Sequence, residues 1–131
     1  MKQKIRPDKD KAKSLIKMAE ITLERLKGID NYKYPTNTLI DYYDSIHKIM
    51  ESLAFIEGIK IKGEGAHQEL IDHICKKYTL SESIRVFLQE IREFRNRISY
   101  EGFMINADYI NTNSKRIEGI IRTLRNLVIL D

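Results

Sequence analysis

The amino-acid sequence predicts an all-α protein, an antiparallel up-and-down bundle of about five helices. Apolar residues recur at the three- and four-residue spacing of amphipathic helices along most of the chain. The segments with this spacing are separated by short connections, most of which contain glycine or proline, so neighbouring helices should pack antiparallel. Because 131 residues is the length of one typical domain, we expect residues 1–131 to form a single helical domain.

The first two helices are predicted from apolar stripes bounded by proline and glycine. Pro7 and Asp8 open a segment that ends at Gly28. Its stripe consists of Ala12, Leu15, Ile16, Ala19, Leu23 and Leu26. Pro35 opens a second helix, which ends at Gly58. The stripe of this helix consists of Leu39, Tyr42, Tyr43, Ile46, Ile49, Met50, Leu53 and Ile56.

The third and fourth helices follow a predicted loop. Residues 59–65 alternate only briefly before their glycines, which favours a loop over a strand. A third helix over residues 66–78 is expected to bury Leu70, Ile71, Ile74 and Cys75. Thr79 and Glu82 have the spacing of a capping box, with Glu82 as the third residue of a helix that ends at Gly102. The stripe of this helix consists of Ile84, Phe87, Leu88, Ile91, Phe94 and Ile98.

The last helix is predicted to begin after Asn106, which is a suitable N-cap residue. Polar residues at 111–114 weaken its first turns. Its apolar residues are Ile110, Ile117, Ile120, Ile121, Leu124, Leu127 and Val128. The sequence offers no credible pair of strands, which completes the all-α prediction.

The composition excludes several classes of protein. Hydrophobic residues make up 42% and charged residues 32% of the chain, as in a globular domain. No apolar run approaches the roughly 18 residues that span a membrane, and no secretion signal follows the basic N-terminus. Since Cys75 is the only cysteine, we expect a cytoplasmic protein without an internal disulfide. Neither a metal site nor a cofactor is expected, because the three histidines are scattered.

The positive charges are distributed unevenly. The net charge is +4, which is compatible with binding to RNA or DNA but equally with a solvated helical surface. Thirteen of fourteen lysines precede Tyr78, whereas seven of nine arginines follow it. Arginine binds phosphate through two parallel hydrogen bonds, so a nucleic-acid contact is expected in the C-terminal half.

One position interrupts the apolar face of the fourth helix. Arg95 lies seven residues after Leu88, so it falls on the buried face between Ile91 and Ile98. A charge on such a face is costly unless it is paired, and exceptions of this kind are expected at functional sites. Two structural alternatives stay open: the side chain extends to water at the helix end, or it pairs with an acidic residue of the second helix.

The second helix has a similar interruption at its end. Glu57 falls on the apolar face beside Gly58, and partial exposure is the expected explanation. Asp41, Asp44 and His47 flank the same stripe without interrupting it. A carboxylate of this helix is therefore a plausible partner for a cation of the fourth helix.

Residues 94–102, around Arg95, read Phe-Arg-Asn-Arg-Ile-Ser-Tyr-Glu-Gly. This segment resembles the HEPN family of small all-α domains from toxin–antitoxin and nucleotidyltransferase-associated systems. In that family a late helix carries Arg, commonly a polar residue such as Asn, four to six further residues, and then His. Arg95 and Asn96 match the first part, and the order of helices matches over most of the chain. The resemblance implies metal-independent cleavage of RNA, in which a ribose 2′-hydroxyl attacks the adjacent phosphate.

The sequence departs from this family at the histidine. The family's histidine would fall at 100–102, where the chain has Tyr100, Glu101 and Gly102. The ordinary pKa of tyrosine, near 10, makes Tyr100 a poor base at neutral pH, although it can donate a hydrogen bond or stack on a nucleobase. We therefore expect Arg95, Asn96 and Tyr100 to form a degenerate motif that holds phosphate, with weak or absent ribonuclease activity.

The remaining chemistry-bearing residues have simpler interpretations. His67 follows a Gly-Glu-Gly-Ala segment at a helix start, which suits either an anion site or an ordinary turn. His47 and His73 have no catalytic partner at a recognisable spacing, and Cys75 belongs to an apolar stripe. The tyrosines near the start of the second helix fit either a protein interface or core packing; they are Tyr32, Tyr34, Tyr42 and Tyr43.

Two functional hypotheses follow. The first is an HEPN-like domain that contacts RNA or a nucleotide, forms a homodimer as the resemblance implies, and acts with a nucleotidyltransferase-type partner. Apolar surface left by Tyr100, Phe103 and Met104 beyond the helix end gives a physical motive for the dimer. The second is a non-catalytic helical module that dimerises or docks a protein partner. A cleft that holds Arg95, Asn96 and Tyr100 together favours the first hypothesis. An Arg95 that is locked to a carboxylate and covered by packing favours the second.

Overall fold

The all-α prediction is confirmed by the computed structural model, which describes residues 1–130. Within these residues the chain forms five α-helices and one small two-stranded sheet. In chain order the elements are β1 (Lys2–Lys4), α1 (Lys9–Lys27), α2 (Pro35–Glu57), β2 (Ile59–Ile61), α3 (Ala66–Lys77), α4 (Glu82–Glu101) and α5 (Ala107–Leu127). None of the helices in the described part of the chain is long and apolar enough to cross a membrane.

Helix α2 lies at the centre of the bundle and contacts all four other helices. It is also the most apolar of the helices, and every residue of its predicted stripe is buried except the half-buried Ile56. The buried faces of the other helices pack around it in one continuous core. The core therefore fixes α2 firmly, and the polar side chains on its margins are held in position by the same packing.

Three of the four pairs of helices adjacent in sequence pack antiparallel, as predicted. Arg25 near the end of α1 donates to Asp41 near the start of α2. At the opposite end, the Ser52 hydroxyl of α2 donates to the backbone carbonyl of Ala12 in α1. Side-chain contacts of the same kind join α3 to α4 and α4 to α5 in antiparallel order. The connections within the three antiparallel pairs are short, as is usual for antiparallel neighbours in a bundle.

The prediction of antiparallel packing is wrong for α2 and α3. Tyr43 contacts His67 at the start of α3, and Glu57 contacts His73 nearer its end, so these two helices run in the same direction, with β2 as the return segment between them.

The prediction that residues 59–65 form only a loop without a strand partner is wrong. Ile59–Ile61 pairs antiparallel with Lys2–Lys4, and Gln3 lies opposite Lys60. This pairing could not be read locally, because β1 is wholly exposed and lacks the alternating apolar pattern of a strand. Gly58 allows the approach of the two segments: its φ is 83°, and a Cβ there would lie 2.8 Å from the carbonyl oxygen of Ile5.

The predicted capping box at Thr79 is also wrong. The N-cap of α4 is Ser81, whose hydroxyl accepts from the backbone N–H of Ile84 at 3.2 Å. Thr79 has a left-handed backbone with φ of 53° and lies in the turn before the helix. Glu82 is consequently the first residue of α4 instead of the third, and its carboxylate pairs with Arg85. Asn106 caps α5 as predicted, accepting from the N–H of Tyr109.

Candidate functional site

An open cleft of about 410 Å³ lies between the start of α3, the C-terminal half of α4 and one margin of α2. We refer to it as the α3–α4 cleft. The three residues of the predicted motif, Arg95, Asn96 and Tyr100, all line it. Asn96 and Tyr100 are four residues apart and so lie on the same side of α4, whereas Arg95 lies about 100° around the helix and lines the cavity from its inner side, where it contacts Asp44 of α2. The structure therefore brings the predicted site residues together in a concave surface.

Arg95 lies at the edge of the core and is paired. Its Nε donates to Oδ1 of Asp44 on α2 at 3.3 Å, and its guanidinium also contacts the Ser99 hydroxyl one turn later. The side chain is 29% exposed, so the guanidinium is shared between the protein and the open cleft. The sequence-based alternative of a pair with an acid of the second helix is thus confirmed, with Asp44 as the acid.

A second arginine lines the cleft one turn before Arg95. The side chain of Arg92 is only 14% exposed, and its Nε donates to Oε1 of Gln89 at 2.6 Å. Its nearest carboxylate is the exposed Glu93, at 3.7 Å. The side chains that line the cleft carry two positive charges, on Arg92 and Arg95, against one negative charge, on Asp44. The cleft therefore offers an anion a net positive charge and several hydrogen-bond donors.

His67 of α3 enters the same cleft, although it lies 28 residues before Arg95 in the sequence. Its Nδ1 shares a hydrogen bond of 3.0 Å with the hydroxyl of the buried Tyr43 on α2. Its ring stacks on that of His47, with centroids 3.9 Å apart and planes inclined by 11°. His47 in turn pairs through Nε2 with Glu51 at 3.2 Å. The ring of His67 is thus held from two directions by α2.

The loop between β2 and α3 determines where His67 lies. Gly63 and Gly65 adopt left-handed conformations, with φ of 88° and 74°, which residues with a Cβ rarely adopt. Gly65 is also the N-cap of α3, so His67 is the second residue of the helix. Because the turn reverses the chain within four residues of β2, it places the start of α3 over Tyr43 and His47.

Burial changes the proton affinities in this cluster. His67 is exposed on its outer side, but the desolvation of its ring where it packs against α2, together with the neighbouring His47, holds the pKa of His67 below its ordinary value. Burial also raises the pKa of the Tyr43 hydroxyl, which therefore stays protonated at neutral pH. Burial by itself would raise the pKa of the Glu51 carboxyl. The hydrogen bond to His47 and the electrostatic attraction of that imidazole outweigh burial and keep the pKa of Glu51 below its ordinary value. At neutral pH the cluster thus contains a neutral His67 and an ionised Glu51.

Asn96 and Tyr100 form the exposed rim of the cleft. Tyr100 is 85% exposed, and no intramolecular hydrogen bond involves its hydroxyl within residues 1–130. Its ring is accessible for stacking against a planar ligand. The α4 end also leaves Met104 77% exposed, whereas Phe103 is half-buried beside Phe94, at 5.9 Å between ring centroids. Phe103 belongs to the apolar surface that was predicted beyond the end of α4, and the protein itself partly covers this residue.

The other candidate residues lie outside the cleft. His73 Nε2 is 2.8 Å from Oε2 of Glu57, which is 21% exposed as the sequence led us to expect. Cys75 is buried in the core, and burial raises the pKa of its thiol to about 11, which leaves it protonated and unreactive. The tyrosines near the start of α2 divide between the two interpretations. Tyr42 and Tyr43 are buried in the core, whereas Tyr32 and Tyr34 precede the helix and are exposed.

Sequence reasoning missed Arg92 and the stacked pair of His67 and His47 as parts of one site. Arg92 could have been found, since it lies three residues before Arg95 and so on the same side of α4. The glycines before His67 signalled a helix start but not which helix it would face. Within residues 1–130, no group of three or more His, Cys, Asp and Glu side chains is arranged to hold a metal ion.

Comparison with protein-family models, with curated proteins and with solved structures gave no match in any of the three. The likeness to the HEPN family therefore rests on the residues of α4 and on the order of the helices alone.

Proposed function

We propose that this chain is an HEPN-like domain that contacts RNA or a nucleotide through the α3–α4 cleft. It acts in a toxin–antitoxin or nucleotidyltransferase-linked system, as a homodimer with a nucleotidyltransferase-type protein as its partner. The α4 motif by itself gives weak or no ribonuclease activity, because Tyr100 stands where the family has histidine.

The observation that carries this proposal is the pairing of Arg92 and Arg95 on one wall of the cleft. Guanidinium groups match the geometry of phosphate oxygens and bind them through charge-assisted hydrogen bonds. Asn96, on the same wall, adds an amide that can donate to phosphate or to a nucleobase. A phosphodiester is the ligand that uses all three groups.

A single-stranded nucleic acid fits the rim of the cleft better than a duplex does. The exposed ring of Tyr100 adjoins the arginines, and unpaired bases stack on aromatic side chains of this kind. Such stacking contributes about 1–3 kcal/mol per base, comparable to one charged phosphate contact. The combination of two cations and one exposed aromatic ring favours RNA loops or single strands.

A second function, a non-catalytic docking module, is favoured by the ion pair between Arg95 and Asp44. If this ion pair were permanent, Arg95 would be a structural residue and its guanidinium could not bind a phosphate. Against this, both partners are partly exposed, at 29% and 39%, and exposed pairs contribute only about 0–1 kcal/mol to stability. A phosphate group can displace a contact of that strength.

The test compares Arg95→Ala with Arg97→Ala in binding to a labelled single-stranded RNA at low salt. Arg97 is a matched control, because it carries the same charge on α4 but pairs with Glu101 at 3.1 Å and lies over Phe103, outside the cleft. We expect Arg95→Ala to weaken binding about tenfold and Arg97→Ala to change it little. Equal affinity of both variants and the wild type would favour the docking module.

A further inference from the structure

We infer that the outer edge of strand β1 is a docking surface for a protein partner, which adds an acidic, extended segment to the sheet as a third strand. We refer to this surface, the side of Lys2–Lys4 that faces away from β2, as the β1 edge. The inference goes beyond the proposed function, because the β1 edge lies outside the α3–α4 cleft and docking there does not require bound RNA.

The backbone of β1 uses only part of its hydrogen-bonding capacity. Ile5, directly after the strand, donates its N–H to the carbonyl of Gly58 at 2.9 Å, so residue 5 faces β2. Hydrogen-bonded and non-hydrogen-bonded pairs alternate along an antiparallel ladder. Gln3 therefore also faces β2, whereas the N–H and carbonyl groups of Lys2 and Lys4 point towards the β1 edge. Within residues 1–130 no hydrogen bond involves these outward groups.

The β1 edge is open, and its side chains determine what can pair with it. All three residues of β1 are exposed. A second copy of this chain that paired through the same edge would bring Lys2 of one copy beside Lys4 of the other, and like charges in cross-strand positions are destabilising. The lysines therefore oppose pairing between copies and favour a segment of opposite charge.

The positive charge of the protein is concentrated around this edge. Residues 1–17 and 59–62 carry nine cationic and two acidic side chains, a net charge of +7, whereas the whole chain carries +4. In the part of the chain from 1 to 130, no salt bridge involves any of the nine cations, which are Lys2, Lys4, Arg6, Lys9, Lys11, Lys13, Lys17, Lys60 and Lys62. Unpaired charges of one sign attract and orient a partner of the other sign.

The chemistry of this surface fits an acidic protein segment better than RNA or a membrane. Phosphate oxygens only accept hydrogen bonds, so they leave the outward carbonyls of Lys2 and Lys4 without a donor. Eight of the nine cations are lysines, and residues 2–17 and 59–62 contain no aromatic ring on which a base could stack. None of these residues exposes a large apolar side chain that could enter a membrane. A peptide backbone supplies both donors and acceptors.

An added strand meets lysines on both faces of the sheet. Lys2 and Lys4 lie two residues apart on one face, and Lys60 lies on the other face, opposite Gln3. A segment in which carboxylates alternate with β-branched residues places those carboxylates on one face, beside Lys2 and Lys4. The backbone hydrogen bonds supply affinity, and the position of the carboxylates supplies specificity.

The test measures the binding of a fluorescein-labelled hexapeptide of alternating Glu and Thr to the intact chain at low salt. A second hexapeptide with the same side chains has methyl groups on all its backbone nitrogens, so it keeps its charge but cannot donate to a strand. An oligouridylate of the same length represents RNA. Hydrogen exchange of the Lys2 and Lys4 amides is followed by NMR with and without the first peptide.

Variants of the chain separate the backbone contribution from the charge. Lys4→Thr removes one charge and keeps the outward N–H, whereas Lys4→Pro removes both and spares the ladder to β2, which does not use that N–H. Lys13→Thr is the charge control, because Lys13 is also exposed but lies on α1 instead of the sheet. Thermal melts monitored by circular dichroism confirm that each variant is folded.

We expect the unmethylated peptide to bind the wild type and to slow amide exchange at Lys2 and Lys4. Lys4→Pro should bind it about fivefold more weakly than Lys4→Thr does, because one backbone hydrogen bond is lost. Lys13→Thr should bind it nearly as well as the wild type.

Equal binding of the methylated peptide, no binding of either peptide, or unchanged exchange at Lys2 and Lys4 would overturn the inference. Binding of the oligouridylate that weakens in Lys4→Thr but not in Lys13→Thr would assign the β1 edge to nucleic acid, and would overturn it as well. The proposed function is tested separately through Arg95→Ala in the α3–α4 cleft, so each of the two can fail without the other.

Discussion

Nε of Arg95 on α4 lies 3.3 Å from Oδ1 of Asp44 on α2, and both side chains line the α3–α4 cleft. The pair explains how the core tolerates a cation at the edge of an apolar stripe. It also places a carboxylate where a phosphate would bind. Asp44 is therefore the residue at which the RNA-contacting and docking functions make opposite predictions.

Asp44→Asn is expected to tighten the binding of single-stranded RNA. The substitution removes the negative charge that competes for Arg95, and an unscreened pair at this distance corresponds to about 1 kcal/mol, or about fivefold in affinity. Asp41→Asn is the control, because Asp41 pairs with Arg25 at 3.0 Å on the same helix but outside the cleft. Anisotropy titrations of both variants check this, and weaker binding by Asp44→Asn than by Asp41→Asn would contradict it.

Most of the fold could be predicted from sequence because its signals are local. Proline and glycine bound α1 and α2, and the stripe of α2 needs no partner to be recognised. The pairing of β1 with β2 could not be predicted, since Lys2–Lys4 lacks any apolar pattern and meets residues more than fifty positions away. The N-cap of α4 was misplaced because Thr79 and Ser81 are both good caps and only the turn geometry selects Ser81.

The candidate site, like the fold, could be predicted from the sequence only in part. Arg95 could be identified because it interrupts a stripe, and the helix it pairs with could be anticipated. The contribution of α3 could not, since no spacing in the sequence relates His67 to Tyr43 or His47. Their contact depends on how the turn at Gly63 and Gly65 directs α3 across α2, which is a tertiary property.

Tyr100→His is expected to increase RNA cleavage in chelator. Its imidazole has an ordinary pKa near 6.5, about three units below that of the phenol, and so is a far better base at neutral pH. Tyr100 lines the cleft and is 85% exposed, so the substitution should not disturb folding. Gel analysis of a labelled RNA measures the rate, with Arg95→Ala in the same background as the control. An unchanged rate would argue against a catalytic position at residue 100.

The stability of the protein is expected to decrease when the pH falls below about 6.5. The pKa of His67 is lower in the folded protein than in the unfolded chain, so the unfolded chain binds more protons in this range and acid favours unfolding. Glu51, whose pKa is also lowered by folding, adds a further loss only below its own unfolded value of 4.5. The urea midpoints at about pH 7.5 and 5.5 should differ less in His67→Gln than in the wild type. Equal differences in the two proteins would contradict the lowered pKa of His67 as the cause of the pH dependence.

The protein is expected to form a homodimer through the surface beyond α4. Met104 is 77% exposed there, and burial of such a side chain favours association. Light scattering at micromolar concentration should give twice the mass of one chain. Met104→Lys should shift the protein towards the monomer, whereas Met18→Lys, at the 48% exposed position on α1, should not. A single-chain mass for the wild type would remove the dimer from the proposal.

The most direct measurement of the central claim, that Arg95 holds an RNA phosphate, is the salt dependence of binding. Each phosphate neutralised on a single strand contributes about 0.7 to the slope of the logarithm of affinity against that of salt concentration. We predict that Arg95→Ala lowers this slope by about 0.7 and that Arg97→Ala, whose guanidinium pairs with Glu101 outside the cleft, leaves it unchanged. Identical slopes for the wild type and Arg95→Ala would show that Arg95 touches no phosphate, and would contradict the account.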